Sequence, residues 1–194
     1  RLARYSADYP GYLLRELNAY GLRAVYLNGC CGDVDPVSNT WRWGGGTQET
    51  LRIYGRDLAA AVQQGRQAAR PWRTGPLEAC SDQVPVEYQP LDAGQLRQEL
   101  AAAEEQLRSH PDDGPARVRA RWSRRMLELI AAGGVDERMT AEVQAIACGE
   151  VVFVGLSSEA FTRLGRIVRD AVPGRHLLIA ATANAVLGYL GTPA

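Results

Sequence analysis

The sequence predicts a mixed α/β fold, a layered sandwich of helices on sheets with a helical hairpin inserted between sheet elements. Three observations predict this class. Short apolar runs typical of strands alternate with amphipathic stretches at helical spacing. Hydrophobic residues make up 46% of the chain and charged residues 23%, which supplies enough apolar side chains for a sizeable core. The length of 194 residues fits one domain or most of one.

The charge balance limits the classes of partner that the chain can attract. The chain has 22 Lys and Arg residues against 22 Asp and Glu residues, so its formal net charge is zero. No overall field therefore attracts nucleic acid or an anionic membrane. The longest uncharged apolar stretch, residues 177–190, is shorter than the roughly 20 residues that cross a bilayer. The sequence predicts no transmembrane segment and no nucleic-acid partner.

The N-terminal part predicts a helix, a strand and a loop that carries polar groups. Leucines recur at helical intervals over residues 12–20, and residues 23–27 form a short apolar run typical of a buried strand. The following loop, residues 28–36, contains two glycines, two aspartates and a proline. Because open α/β sheets place their chemistry where strands end, this loop is a candidate part of a functional site.

The central part predicts a long helix, a strand and the inserted hairpin. The helix covers residues 48–69 and begins after Thr47, a residue type that favours helix N-termini. Residues 77–88 alternate loosely and suggest a strand at a sheet edge. Residues 93–109 and 115–132 are rich in Ala, Leu, Glu, Gln and Arg, so they predict two amphipathic helices joined by a short turn.

The last third returns to β structure. Residues 140–147 and 151–156 are apolar strands separated by a Cys-Gly-Glu turn, which predicts a β-hairpin. Residues 160–171 follow as a helix, and residues 177–181 form a very apolar strand. The alternation of strands and a helix in this part supports the α/β class.

The cysteines allow two interpretations. Cys30, Cys31, Cys80 and Cys148 have neither CxxC spacing nor a histidine at zinc-finger distance, so a structural zinc site is not expected. Adjacent cysteines bridge each other only with strain. One of the first two could pair with Cys80 or Cys148 in an oxidising compartment, or all four could be free thiols.

Four oxygen-bearing side chains lie where predicted strands end. Each has an ordinary structural explanation when taken alone: Asp33 as a turn residue, Glu159 as a first-turn helix acid, and Tyr189 as a core aromatic. Asp35 completes the set. Their shared position at strand ends favours one common site.

Four motifs follow one another along the chain. They are SADYPGY at residues 6–12, VYLNGCCGDVDP at 25–36, the stretch from VQAI to GLSSEAF at 143–161, and the AN-to-GY segment at 183–189. In order and spacing they resemble the neutral/alkaline non-lysosomal ceramidases, and the NGxxGDVxP element is the most specific piece. The resemblance implies that residues 1–194 are the C-terminal part of a ceramidase-like catalytic domain, with further portions before and after it.

The resemblance also implies a metal centre and a reaction. In that family one zinc ion is held by two histidines, a glutamate and a tyrosine, and Glu159 and Tyr189 match the last two. The histidines are expected upstream of Arg1, because neither His110 nor His176 matches them. The implied function is zinc-dependent hydrolysis of the amide bond of a small lipid or N-acyl substrate, as in an N-acylsphingosine amidohydrolase. Family resemblance further implies sphingolipid metabolism and a secreted or cell-surface location.

The loop at residues 28–36 would form the floor of the substrate pocket. Asp35, with Asp33, is the expected catalytic pair, and Asn28 and Gly32 are expected to bind substrate. The chain departs from the family in two places: Asp35 stands where ceramidases have a serine, and SSE at 157–159 replaces a PGE turn. Two alternatives therefore stay open, a non-catalytic cell-surface protein that binds a glycan or lipid, and a hydrolase of a different amide or ester.

Overall fold

A computed structural model of the chain describes residues 5–40, 45–87, 91–134 and 138–192. It divides into two compact units. The first comprises Arg1–Gln83 with Ala141–Ala194, and the second comprises Val84–Thr140. The predicted mixed α/β class is confirmed, because the described residues contain α-helices and a mixed parallel and antiparallel sheet.

The described part of the chain contains five α-helices, one 3-10 turn and six strands. In chain order they are α1 (Asp8–Ala19), the 3-10 turn (Val37–Thr40), α2 (Gln48–Ala68), β1 (Leu77–Glu87), α3 (Ala93–Ser109), α4 (Gly114–Ala131), β2 (Arg138–Cys148), β3 (Val151–Leu156), β4 (Glu159–Ala160), α5 (Thr162–Asp170), β5 (His176–Ala181) and β6 (Tyr189–Leu190). Most predicted elements are therefore confirmed to within two or three residues. Tyr88, the last residue of the strand predicted at residues 77–88, lies outside the described residues.

The main sheet is built around β3. Its four strands have the order β1-β2-β3-β5, in which β3 runs antiparallel to β2 and parallel to β5. The β2–β3 turn is tight because Gly149 adopts φ 59°, a backbone conformation that favours glycine. Valines of β3 are buried on both faces, as expected for a central strand. The core around this strand comprises Val152, Val154, Leu156, Ala160 and Leu177, with Leu164 and Val168 of α5 packed against it.

The two long helices of the first unit pack closely on each other. Leu13 and Leu17 of α1 are buried with Ala59 of α2. A Cβ on Gly55 would overlap the Tyr12 side chain, so glycine is needed where the two helices approach. The predicted N-terminus of α2 is confirmed, since the Thr47 hydroxyl accepts a hydrogen bond from the Thr50 N–H at 3.2 Å.

The strand predicted at residues 23–27 is wrong. The segment forms no strand ladder within the described residues. Tyr26 and the preceding residue Leu22 pack against the buried cluster of α1 and α2, whereas Val25 is 86% exposed. The Asn28 carbonyl, at the end of the segment, accepts a hydrogen bond from the Ala181 N–H at 2.8 Å. That bond places the loop beside β5 without extending the sheet.

Helix α5 begins later than predicted. Residues 160 and 161 were expected in the helix, but Ala160 belongs to the short strand β4 and Phe161 is the residue that precedes the helix. The pairing of β4 with β6 uses the Phe161 N–H, which donates to the Leu190 carbonyl at 3.0 Å. This long-range hydrogen bond holds the backbone extended, so the helix starts at Thr162.

The second unit contains the predicted helical hairpin, α3 and α4. Both helices begin at aspartates, Asp92 and Asp113, whose side chains accept hydrogen bonds from the first-turn N–H groups. Small residues dominate the buried faces, which lets the helices pack closely. The buried residues are Leu96, Ala103, Ala116, Ala120 and Ser123.

All four cysteines are free thiols, as in the second of the two interpretations, and no disulfide pairs them. Cys30 contacts Gly165 of α5, where a Cβ would lie 2.8 Å from its sulfur. Burial raises the pKa of the Cys30 thiol and keeps it neutral. Within the described ranges no helix is both long and apolar enough to cross a membrane.

Candidate active site

The short β4–β6 sheet brings together the two predicted metal ligands. Glu159 pairs with Tyr189 in parallel register, and the Glu159 N–H donates to the Gly188 carbonyl at 2.8 Å. Paired residues on neighbouring strands lie about 4.8 Å apart with their side chains on the same face. Both side chains line one pocket. Their role as metal ligands stays a prediction, but their proximity no longer depends on the resemblance.

The loop at residues 28–36 is held against β4 by its glycine. The Gly32 N–H donates to the Ala160 carbonyl at 2.9 Å. A Cβ at Gly32 would overlap the Glu159 carbonyl oxygen and come within 2.7 Å of the Phe161 ring. Gly32 was predicted to bind substrate, and the structure adds a reason for glycine that is independent of substrate: the backbone of the loop passes too close to β4 for any side chain.

Asp33 joins the same loop to helix α5. Its carboxylate accepts hydrogen bonds from the Thr162 N–H at 2.7 Å and from the Thr162 hydroxyl at 2.8 Å. These bonds hold the pKa of Asp33 below its usual range. The carboxylate acts as the cap that α5 lacks locally, because Phe161 supplies no capping side chain. Asp33 was predicted to be catalytic, whereas its observed contacts position the loop and the helix.

We expect Asp33→Asn to lower the melting temperature at neutral pH. A lowered pKa in the folded state stabilises the protein above the ordinary value of 3.8, and this stabilisation is lost as the pH falls through the lowered folded-state value. The difference between variant and wild type should therefore disappear in acid. Thermal melts across this range measure it, with Asp112→Asn in the α3–α4 connection as the matched control. A constant difference at all pH values would contradict the assignment.

Asp35 lies further along the loop and also lines the pocket. Its Oδ1 accepts a hydrogen bond from the Asn39 side-chain amide at 3.2 Å. Asn39 belongs to the 3-10 turn that follows the loop. This contact fixes the Asp35 side chain at the pocket wall, where a carboxylate can accept hydrogen bonds from water or from a substrate hydroxyl.

Asn28 belongs to a hydrogen-bond network that the sequence did not predict. Its side-chain oxygen accepts from the Tyr26 hydroxyl at 3.2 Å, and its amide donates to the Cys31 sulfur at 3.1 Å. The Tyr26 and Tyr9 hydroxyls lie 2.6 Å apart. Burial, and then the hydrogen bond with Tyr9, raise the pKa of Tyr26, which keeps its hydroxyl protonated. The network connects α1 to the pocket floor.

These residues surround one pocket of about 1010 Å³. All six predicted site residues line it: Asn28, Gly32, Asp33, Asp35, Glu159 and Tyr189. Helix α2 adds Tyr54, Asp57 and Leu58, which sequence reasoning missed. The lining contains four carboxylates and no arginine among the described residues, so the pocket favours cationic or hydrogen-bond-donating groups.

Two solved structures share this arrangement of elements. Neutral ceramidase from Pseudomonas aeruginosa matches with a TM-score of 0.58 and 16% identity, over 96% of this chain and 35% of that one. The fold is that of a neutral ceramidase segment. A ceramidase complexed with C2 matches with a TM-score of 0.57 and 16% identity, over 96% of this chain and 37% of that one. The resemblance inferred from the motifs is thereby confirmed at the level of fold.

The chain spans little more than a third of the length of these ceramidase structures. No protein-family model and no curated protein matches it at the sequence level. At 16% identity the ceramidase likeness establishes the shared fold, and the activity has to be argued from the site.

The donor set of the site bears on whether it can hold a metal ion. Zinc in hydrolases takes three protein ligands and keeps a further position open. Glu159 offers a carboxylate oxygen and Tyr189 a phenol oxygen at adjacent backbone positions, which fits two of these ligands. Among the described residues no group of three or more His, Cys, Asp and Glu side chains could hold a metal ion. The described residues therefore supply two candidate ligands, Glu159 and Tyr189.

Proposed function

We propose that this chain forms part of a zinc-dependent amide hydrolase that acts on ceramide-like N-acyl lipids. The observation that carries the proposal is the register pairing of Glu159 with Tyr189 at the wall of the pocket, within a ceramidase-like fold. The pairing places two oxygen donors on one face of a two-stranded sheet, where a single cation can contact both.

Glu159 and Tyr189 would hold the metal together with the two histidines that the family resemblance implies. Bound zinc supplies Lewis acidity toward the amide carbonyl and toward water. The Tyr189 ring also contacts Phe161 in a T-shaped arrangement, with centroids 6.3 Å apart. This aromatic contact limits the positions of the phenol and so pre-organises the donor.

The lining of the pocket supports an N-acyl lipid as the substrate class. Val34, Val37 and Leu58 provide apolar surface, which suits an acyl or sphingoid chain. Asn28 and Asp35 provide polar groups on the loop at residues 28–36, which suit a hydroxylated head group. A substrate with one polar end and long apolar chains matches a pocket that has both a polar and an apolar part.

Asp35 has the role of a hydrogen-bond acceptor in this proposal. We expect Asp35→Ser to retain hydrolysis to within about tenfold in kcat/KM, because the serine hydroxyl can still form a hydrogen bond with a substrate hydroxyl. Ceramide is the substrate on which the serine variant should lose least, since ceramidases have serine at this position. Steady-state kinetics on a fluorescent N-acylsphingosine measure the change. Complete loss of turnover would instead assign Asp35 an essential acid–base role.

The experiment that tests the function uses the protein that contains this chain. Zinc content by elemental analysis and hydrolysis of N-acylsphingosine, a simple N-acyl amine and an ester analogue are measured together. The proposal predicts about one zinc per polypeptide and preferential cleavage of the N-acylsphingosine. A metal-free protein that hydrolyses none of these substrates, yet binds lipid or glycan, would replace the hydrolase with the binding alternative.

A further inference from the structure

We propose that the outward face of α4 docks on an anionic lipid surface. Helix α4 carries five arginines and one glutamate, so its net charge is 5 − 1 = +4 in a chain whose total charge is zero. The local excess is therefore a property of this helix. The arginines are Arg117, Arg119, Arg121, Arg124 and Arg125.

Apolar residues lie on the side of α4 that faces away from the hairpin core. Ala116, Ala120 and Ser123 are buried and define the inner face. At about 100° per residue, Val118 and Trp122 fall on the opposite face, within roughly 40° of each other. Val118 is 66% exposed and Trp122 is 46% exposed. The helix thus presents an aromatic and an aliphatic side chain to solvent one turn apart.

Two arginines on this same face are available to bind anions. Arg121 has no hydrogen bond or ion pair with any described residue, and Arg125 makes only an exposed contact with Glu128 at 3.4 Å. The other three arginines are engaged within the hairpin. They contact the Pro111 carbonyl, the Gln106 side chain and the Glu104 carboxylate. The docking face is defined here as Val118, Arg121, Trp122 and Arg125.

The chemistry of the docking face matches the interface of an anionic bilayer. Tryptophan favours the head-group region, where its apolar ring and its N–H are both accommodated. Arginine stems lie along apolar surface while their guanidinium groups reach phosphates. Two exposed apolar side chains support shallow binding that also needs electrostatic attraction. This inference does not rest on the proposed hydrolase, because the docking face and the pocket belong to different units.

The test is co-sedimentation of the whole chain with vesicles. We expect binding to vesicles of equal parts phosphatidylcholine and phosphatidylglycerol, much weaker binding to phosphatidylcholine alone, and release at high salt. The double variant Arg121→Glu/Arg125→Glu should bind about tenfold or more weakly. Trp122→Ala should also weaken binding. Circular dichroism and thermal melts confirm that each variant is folded.

Matched control variants distinguish the effect of the docking face on vesicle binding from the effects of net charge and of exposed tryptophan in general. Arg66→Glu/Arg70→Glu on exposed positions of the first unit makes the same change in net charge, and Trp72→Ala removes another exposed tryptophan. Both controls should bind the anionic vesicles like wild type. Equal binding to both kinds of vesicle, no binding to either, or an equal effect of the control variants would overturn the proposal. Binding to a DNA duplex but not to vesicles would assign the face to nucleic acid instead.

Discussion

Glu159→Gln, introduced into the protein that contains this chain, is expected to abolish zinc binding and to lower kcat/KM by roughly 100-fold or more. Glutamine has nearly the same shape as glutamate but removes the negative charge that a zinc ligand supplies. The β4–β6 pairing should survive, because it depends on the backbone N–H of Glu159 and on the Leu190 carbonyl. The variant therefore separates the metal role from the structural role.

Zinc content and turnover are the two measurements. Tyr189→Phe should weaken metal binding in the same direction while preserving the T-shaped contact with Phe161. Glu78→Gln on the exposed strand β1 is the matched control and should change neither quantity. If Glu159→Gln retains a full complement of zinc, the ligand assignment is wrong even where activity is lost.

Gly32→Ala is expected to destabilise the first unit by about 3 kcal/mol and to disrupt the pocket. The added methyl group would overlap the Glu159 carbonyl oxygen and approach the Phe161 ring. The β4–β6 pairing fixes the Glu159 carbonyl group. The contact with the Tyr189 ring holds the Phe161 ring in place. The loop at residues 28–36 must therefore move away from β4, which breaks the hydrogen bond between the Gly32 N–H and the Ala160 carbonyl.

Gly29→Ala is the control for this prediction because it changes the same residue type in the same loop. A Cβ at Gly29 would meet only the Ile179 carbonyl oxygen, at 4.0 Å, which is ordinary contact. Urea unfolding should give a clear loss of stability for the first variant and a small change for the second. Equal stabilities for the two variants would show that the loop does not depend on close approach to β4.

The fold was predictable where local sequence determines the structure. The long helix α2 has its cap at Thr47, and α3 and α4 have regular apolar spacing, so their existence and approximate bounds follow from residues within each element. Short strands such as β4 and β6 have only two residues each, and their structure depends on pairing with one another. No local pattern distinguishes them from a loop or from the first turn of a helix.

The site was predictable in part, because some of its residues directly follow predicted strands. Strand ends identified Glu159 and Tyr189 as neighbours in the fold, and the structure places them side by side. The hydrogen bonds between Asp33 and Thr162 were not predictable, since the two residues lie 129 positions apart in the sequence. The contributions of Tyr54 and Asp57 depend on how α2 approaches the loop, which the helical pattern alone does not specify. Tyr9 and Tyr26 lie inside two of the recognised motifs, and that was the one signal for their network.

The two points at which the chain leaves the first unit for the helical hairpin and returns from it lie close together. The chain departs after Gln83 and returns at Ala141, and the Ser81 hydroxyl donates to the Glu142 carboxylate at 2.6 Å between these two points. Closely spaced junctions are typical of modules that can be inserted into a host domain or removed from it. Natural or engineered changes in the length of the hairpin are therefore compatible with an unchanged β2–β3–β5 sheet. A short turn joining the two junctions would convert this chain into a minimal version in which the pocket can be studied without the module.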